Sequence, residues 1–216
     1  MQSSAFRARI RLLGRYCELV PLARAHREGL HAAAADPDAF PFLRMPPGPG
    51  LAEIDRMIDY QLRQRRRGED LPFTTRLAES HRIVGMTRFL RIDRDSESVE
   101  IGGTWLDPAL RRTPINTETK YLLLRHAFES EGAHRVQFQT DLRNETSQRA
   151  IERIGARREG VLREDVLLYD GYRRSSVYYS VLAEEWSSRK GHLEAMLARP
   201  WPPPATEGGS GAAASP

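Results

Sequence analysis

The sequence is poor in cysteine and lacks any long apolar run. Cys17 is the only cysteine among 216 residues, which excludes internal disulfides and zinc clusters built on cysteine. No apolar stretch approaches the roughly 20 residues that a membrane-spanning helix needs. The N-terminal residues mix arginines with apolar side chains, which is untypical of a secretory signal. These absences predict a cytoplasmic protein that needs no metal and does not span a membrane.

Lysine is scarce as well. Only Lys120 and Lys190 occur among 33 basic residues, so arginine carries nearly all of the positive charge. The net charge is +4, but the arginines are interspersed with acidic residues, as in Arg163-Glu164-Asp165. This indicates a coding bias toward arginine rather than a nucleic-acid surface. An arginine-rich RNA-associated protein stays an alternative, although no stacking aromatic motif lies in a basic strand.

Strand and helix patterns alternate along most of the chain. With 40% hydrophobic and 29% charged residues, the composition is that of a globular protein. The order β-α-α-β-β-β-α-β-α-β-β predicts one α/β (α+β) domain over residues 1–198, with a mixed sheet and helices on both faces. Residues 199–216 are dominated by Pro, Gly, Ala and Ser, which predicts a disordered tail.

The bounds of the elements follow from apolar periodicity and from turn residues. The predicted strands are Ile10–Leu22, for which an interruption at Gly14 is left open, Pro72–Ala78, Arg82–Ile92, Ser98–Leu106, Arg135–Leu142 and a hairpin of Val161–Tyr169 with Arg173–Val181. The predicted helices are His26–Ala35, Ala52–Arg67, Asn116–Glu131 and Glu145–Ile154, and a last helix follows Trp186.

The segment LRRTPINTE (110–118) joins a predicted strand to a predicted helix. Thr113 suits the N-cap of this helix, and Pro114 suits its first position. The free backbone N–H groups at a helix start attract anions, and adjacent guanidinium groups strengthen that attraction. A capped helix with solvated arginines fits the same residues. The positions concerned are Arg111, Arg112, Thr113, Ile115, Asn116 and Thr117.

Two further polar residues stand out by their position. Strict alternation places Glu100 and Thr104 on one face of their strand and Trp105 on the other. A carboxylate followed by two glycines fits a ligand gap, but equally an edge residue beside a bulge. Ser147 has apolar residues three, four and seven positions later, so it lies on the inward face of its helix. Its hydroxyl needs a partner there, and a carbonyl of the same helix would suffice.

Taken together, these segments resemble the GCN5-related N-acetyltransferase (GNAT) superfamily, in particular its RimJ/RimL-like branch. The resemblance runs from about Ile10 to Trp186 and rests on VEIGGTWLDP, RRTPINTETKYLLLRHAFE, LRNETSQRAIERIGA and DGYRRSSVYYSVLAEEW. It implies a mostly antiparallel twisted sheet whose central strand pair splays, with the pantetheine arm of acetyl-CoA in the gap. The implied reaction is direct acetyl transfer from acetyl-CoA to a primary amine.

The resemblance also implies residue roles. Glu100 is the candidate base, and Ser147 is the candidate donor to the leaving sulfur. Pro114 and Asn116 replace the small residues of the family's pyrophosphate loop, and Ile151 stands where many relatives carry a tyrosine acid. The implied donor-binding residues are Thr104, Trp105, Leu106, Arg111, Arg112, Thr113, Ile115, Asn116, Thr117 and Asn144.

The acceptor amine is expected between the loop 36–50 and the hairpin at Asp170. Phe40, Phe42 and Arg44 are candidate lining residues, although they would serve equally well as loop anchors. A peptide α-amine has a pKa of about 8 against about 10.4 for lysine, so it is far richer in the neutral form at pH 7. This favours a protein N-terminus or a small molecule with an acidified amine. A non-catalytic acyl-CoA-binding or regulatory module and a transferase of succinyl or longer acyl groups are alternatives. A homodimer is left open.

Overall fold

Short apolar strands and amphipathic helices build one eight-stranded sheet with helices on both faces. The computed structural model describes residues 10–36, 42 and 45–201. The strands are β1 (Leu12–Leu13), β2 (Cys17–Pro21), β3 (Leu71–Leu77), β4 (Ile83–Asp93), β5 (Ser98–Leu106), β6 (Arg135–Asp141), β7 (Arg157–Leu167) and β8 (Arg173–Leu182).

Five α-helices occur in the described ranges, and none of them is long and apolar enough to cross a bilayer. They are α1 (Arg27–Ala33), α2 (Leu51–Arg67), α3 (Ile115–Arg125), α4 (Glu145–Arg153) and α5 (Ala183–Leu197). A π-helical turn, His126–Ser130, extends α3. Buried Ile54, Ile58 and Leu62 form the inward stripe of α2, which ends at Gly68 in a left-handed C-cap.

The sheet has the order β1-β2-β3-β4-β5-β6-β8-β7, and the only parallel pair among the described strands is central. Strands β5 and β6 pair over three positions, from Ser98 opposite Arg135 to Glu100 opposite Gln137. Beyond these positions the two strands share no register, and the gap between them is called the wedge below. The predicted fold class, including a mostly antiparallel sheet with a splayed central pair, is confirmed.

A bulge in β5 decides which side chains face which layer. Trp105 lies opposite Met86 and Gly102 lies opposite Arg88, so β5 has one extra residue between these pairs. Gly103 has a φ of +56°, a left-handed conformation that glycine adopts readily at such a bulge. The predicted alternation is therefore wrong beyond Gly102. Trp105 packs in the core cluster under α1 and α2, on the Glu100 face, whereas Thr104 turns toward α3.

Three predicted bounds differ from the structure. The predicted strand Ile10–Leu22 is divided at Gly14, the position at which the prediction leaves an interruption open: the chain reverses there, and its two halves, β1 and β2, pair with each other. The last helix begins at Ala183, before Trp186, and the hairpin strand β7 begins at Arg157. The remaining predicted strands and helices lie within a few residues of the observed ones.

A buried carboxylate holds the β1–β2 turn against α3. Glu118 is 4% exposed, and its two oxygens accept hydrogen bonds at 2.7 Å from the backbone N–H groups of Arg15, Tyr16 and Cys17. Gly14 completes the contact, since a Cβ there would lie 2.4 Å from the Glu118 carboxyl carbon. The first turn of α3 is thus fixed to an edge of the sheet by one side chain.

Candidate active site

Glu100 lies where β5 and β6 part. Its carboxylate is buried and accepts hydrogen bonds from Gln137 and Arg91, both at 3.1 Å. Burial raises the pKa of Glu100 above the ordinary value of a carboxyl, against the opposing effects of Arg91 and Gln137. A carboxylate of raised pKa can accept a proton from an ammonium group more readily than an exposed one can.

A cavity of about 920 Å³ opens on the Glu100 face of the sheet. Helix α2 and strands β4 and β5 form part of its wall, Met45 and Pro46 border it from the loop before α2, and Val166 and Arg174 border it from the β7–β8 hairpin. Since Glu100 lines this cavity, an amine inside it can reach the carboxylate.

The predicted acceptor loop meets the hairpin at Arg143. The guanidinium carbon of Arg143 lies 5.7 Å from the Phe42 ring centre and 3.6 Å from the Tyr172 ring centre. Phe42 is not among the described residues that line the cavity. Phe40 and Arg44 lie outside the described residues, so all three stay predictions as substrate-binding residues.

A second, smaller cavity of about 270 Å³ borders the start of α3. Three arginines surround it, two of which the sequence did not single out, and Arg153 donates a 3.3 Å hydrogen bond to the Thr117 hydroxyl. The three guanidinium groups suit an anion, and the other side of the lining is apolar. The lining residues are Arg112, Thr113, Pro114, Thr117, Arg153, Met196, Leu197, Arg199, Pro200 and Trp201.

The helix start itself differs by one residue from the prediction. Pro114, not Thr113, occupies the N-cap, because the Glu118 N–H donates to the Pro114 carbonyl at 2.8 Å. The Thr113 hydroxyl donates to the Leu110 carbonyl at 2.7 Å. Among the described residues, no acceptor binds the N–H groups of Asn116 or Thr117. These two donors remain available to a ligand.

Several predicted donor-binding residues direct their side chains into the core. Ile115 is 5% exposed, Trp105 packs in the core under α1 and α2, and Leu106 is partly buried against the core on the opposite face. Only backbone groups of these residues can then serve a donor. Arg111 and Arg112 are exposed, and Arg112 has a φ of +63° in the turn before α3.

Helix α4 is capped by Asn144, whose Oδ1 accepts a 2.9 Å hydrogen bond from the Ser147 N–H. The carboxamide nitrogen of Asn144 is therefore the half of the side chain left to meet a ligand. Ser147 is half-buried, one helical turn from Ile151, which is buried in the core. The position where many relatives carry a tyrosine is thus filled by an apolar core residue.

Lys120, which the sequence reasoning missed, lies inside the wedge. Its Nζ donates a 2.7 Å hydrogen bond to the Thr104 hydroxyl on β5 and lies 5.7 Å from the Phe138 ring centre on β6. Thr104 in turn hydrogen-bonds Thr87 at 2.7 Å. Burial lowers the pKa of Lys120 to about 7. The sequence does contain a pattern that predicts this position. Apolar residues follow Lys120 at three, four and seven positions, which places Lys120 on the buried helix face.

Two other chemistries find no support in the described residues. Cys17 is buried, and burial together with the nearby Glu118 carboxylate raises the pKa of its thiol, so it is no nucleophile. The parts of the chain that the structure describes contain no group of three or more His, Cys, Asp and Glu side chains that could hold a metal ion.

Known proteins share this architecture. Residues 17–157 match the family described as Acetyltransferase (GNAT) domain. A curated protein of Bacillus subtilis (strain 168) named "Putative ribosomal N-acetyltransferase YdaF" is 33% identical over 108 residues, which cover 50% of this chain and 58% of that protein. The chain spans less than two thirds of the length of the curated relatives it matches.

Solved structures match over a larger share of the chain. The crystal structure of a GCN5-related N-acetyltransferase from Brucella melitensis is 30% identical, with a TM-score of 0.82, and the match covers 89% of this chain and 87% of that one. Mycobacterium smegmatis RimJ in complex with CoA-disulfide is 22% identical, with a TM-score of 0.72 and coverage of 83% and 88%. At that identity the likeness concerns the fold.

The fold, the wedge and these matches define an acyltransferase. The chain belongs to the GNAT acetyltransferase family. The family prediction is therefore confirmed, and the similarity to a protein named as a ribosomal N-acetyltransferase supports the RimJ/RimL-like branch. Enzymes of this family use acetyl-CoA.

Proposed function

We propose that the protein moves an acetyl group from acetyl-CoA directly to a primary amine, either the α-amine of a protein N-terminus or an amine of a small molecule. The observation that carries the proposal is the position of Glu100. A buried carboxylate of raised pKa lies where β5 and β6 part, and it lines the large cavity. A base at that point can take a proton from an amine in the cavity while the amine attacks a donor held in the wedge.

The residues around the wedge fit the donor. The N–H groups of Asn116 and Thr117, with Arg112 and Arg153, offer charge and hydrogen bonds to a pyrophosphate. Gly103 and Thr104 have no partner in the register of either neighbouring strand, so their backbone groups can hold an extended pantetheine arm or polarise a carbonyl. Acetyl-CoA supplies the activated acetyl group.

The protein's own groups then move protons and stabilise charge. Glu100, directly or through a water, takes the proton that the attacking amine must lose. As the C–N bond forms and the C–S bond breaks, the electron pair stays on sulfur, where the Ser147 hydroxyl donates a hydrogen bond. Direct transfer requires no covalent intermediate on the protein, in keeping with the buried Cys17.

The acceptor is proposed to be an α-amine or a similarly acidified amine. At pH 7 such an amine is neutral far more often than a lysine side chain, so one carboxylate suffices as base. The similarity to the protein named "Putative ribosomal N-acetyltransferase YdaF" supports a protein N-terminus as the acceptor.

Turnover of acetyl-CoA with a panel of amines tests this function. We expect steady release of CoA with peptides that have a free N-terminus, and much slower release with N-terminally blocked peptides whose only amine is lysine. Donor binding without turnover on any amine would favour a non-catalytic module. Faster turnover with succinyl-CoA would favour a longer acyl group.

Two substitutions of Asn144 separate its cap from its proposed contact with the donor. Asn144→Asp keeps the oxygen that caps α4 but loses the amide donor, so the melting temperature should stay near wild type while the affinity for CoA falls by about tenfold. Asn144→Ala should lower both. Thermal melting and calorimetric titration with CoA measure the two effects. Equal CoA affinity in Asn144→Asp and wild type would exclude Asn144 from the donor site.

A further inference from the structure

We propose that Lys120 is a catalytic residue that contacts the sulfur of the bound thioester and gives its proton to the thiolate that leaves. This inference rests on the proposed acyl transfer, since it names the group that completes that reaction. The inference adds a basic residue to the proposed catalytic residues Glu100 and Ser147. It rests on the contacts and the surroundings of Lys120.

Lys120 connects the two strands that have parted. Its Nζ contacts Thr104 on β5 and the Phe138 ring on β6, although neither residue takes part in the β5–β6 pairing. The ammonium therefore occupies the wedge itself, beside the bulge at Gly103. A thioester held between these strands would pass within reach of Nζ.

The face of α3 that presents Lys120 begins at the anion-binding end of the helix. Thr117 and Lys120 are three residues apart in α3, so they lie on one helix face, and Thr113 immediately precedes the N-cap of that helix. Thr113 and Thr117 line the small basic cavity, whereas Lys120 lies one turn deeper. One helix face thus runs from the proposed nucleotide end of the donor toward its thioester end.

Nothing charged in the described structure compensates Lys120. No described carboxylate lies within ion-pair distance of Nζ, which donates its hydrogen bond to the neutral hydroxyl of Thr104. Burying an ammonium without a counter-ion is unfavourable, and proteins keep such groups mainly at functional sites. The missing negative charge is one that a thiolate would bring.

Lysine also suits this chemistry better than its neighbours do. A buried amine with a pKa near 7 can release a proton to a thiolate, whose conjugate acid has a pKa of about 8.5, whereas a serine hydroxyl only donates a hydrogen bond. When the C–S bond breaks, the electron pair stays on sulfur and takes the Nζ proton to form the thiol. The neutral amine is then reprotonated from water. Arginine, which fills nearly every other basic position, cannot give up a proton in this way.

The test compares CoA with desulfo-CoA, which lacks only the sulfur. We expect the wild-type protein to bind CoA about tenfold more tightly and to lower the pKa of the bound thiol, followed by the ultraviolet absorbance of the thiolate. Lys120→Met should abolish this preference and lower kcat by about 10²-fold or more, with an unchanged or higher melting temperature. Lys120→Arg should keep the preference for CoA, because the charge remains, but lose turnover. Lys190→Met, at a partly exposed lysine paired with Glu129, is the matched control.

The outcomes separate this inference from the proposed function. If Lys120→Met keeps the wild-type preference for CoA, or weakens both ligands equally, the contact with sulfur is overturned. A third outcome is that Lys120→Met loses the preference for CoA while the wild-type protein acetylates no amine. In that case the contact between Lys120 and the sulfur is supported, and the proposed function fails. Normal turnover by Lys120→Met overturns the catalytic role.

Discussion

Glu100→Gln is expected to lower kcat/KM for the amine by about 10²-fold or more, because a carboxamide cannot take up the proton that the attacking amine must lose. The substitution preserves the size of the side chain, and its amide oxygen can still accept hydrogen bonds from Gln137 and Arg91. We therefore expect folding and CoA affinity to stay near wild type. Rates measured against amine concentration at saturating acetyl-CoA give the effect.

The pH dependence of kcat/KM tests Glu100 as a base separately, because a purely structural role of Glu100 would not change it. Burial raises the pKa of Glu100, so the acidic limb of kcat/KM should lie above the range of an ordinary carboxyl, which is about 4.3. Activity is lost as pH falls through that raised value, because the protonated acid is no base. In Glu100→Gln this limb should vanish. Glu79→Gln, an exposed carboxylate in the turn between β3 and β4, should leave rate and profile unchanged.

Wild-type turnover in Glu100→Gln, with its acidic limb intact, would contradict the assignment. The proton would then have to leave through another group, and of the other carboxylates that line the cavity, Glu53, Glu69 and Asp70, burial raises the pKa of Asp70. Asp70 is paired with Arg88 at 3.1 Å. The same profile measured on Asp70→Asn would identify it.

The sequence predicts the frame of the site well and its contacts poorly. Apolar periodicity predicts most strands and helices, and the resemblance to the GNAT family implies the splayed pair. The face of Glu100 follows from alternation, but one extra residue at Gly103 reverses the faces of Thr104 and Trp105. A bulge is defined by the pairing of two strands, so the sequence of one strand does not reveal it. A glycine in that strand is compatible with a bulge but does not predict one.

The residues that the sequence reasoning missed are joined by contacts distant along the chain. Gln137 reaches Glu100 across 37 positions, and Arg153 reaches Thr117 across 36. Neither belongs to a local motif, so only the folded arrangement makes them part of the site. Lys120 is different, because its buried position could be predicted from helical spacing and its rarity from composition. What could not be predicted is that no described carboxylate neutralises it.

Glu118→Ala is expected to cause the largest loss of stability. Three backbone N–H groups of the β1–β2 turn would lose a charged acceptor in a buried place, where each such hydrogen bond contributes about 1.5–3 kcal/mol. Allowing for relaxation and entry of water, we expect the free energy of unfolding to fall by about 4 kcal/mol, and the melting temperature by about 10 °C. Chemical denaturation and thermal melting measure both.

Gly14 provides the internal control for this contact. Gly14→Ala should destabilise the wild-type protein, because its Cβ would lie 2.4 Å from the Glu118 carboxyl carbon, but should cost much less in the Glu118→Ala background, where that space is empty. Glu118→Gln, with one acceptor oxygen left, should fall between wild type and Glu118→Ala. Strictly additive effects of the Gly14 and Glu118 substitutions would contradict the clamp. Because Glu118 belongs to the first turn of α3, loosening this turn should also raise the KM for acetyl-CoA. The same side chain would then both fix an edge of the sheet and keep the proposed anion site of the donor in place.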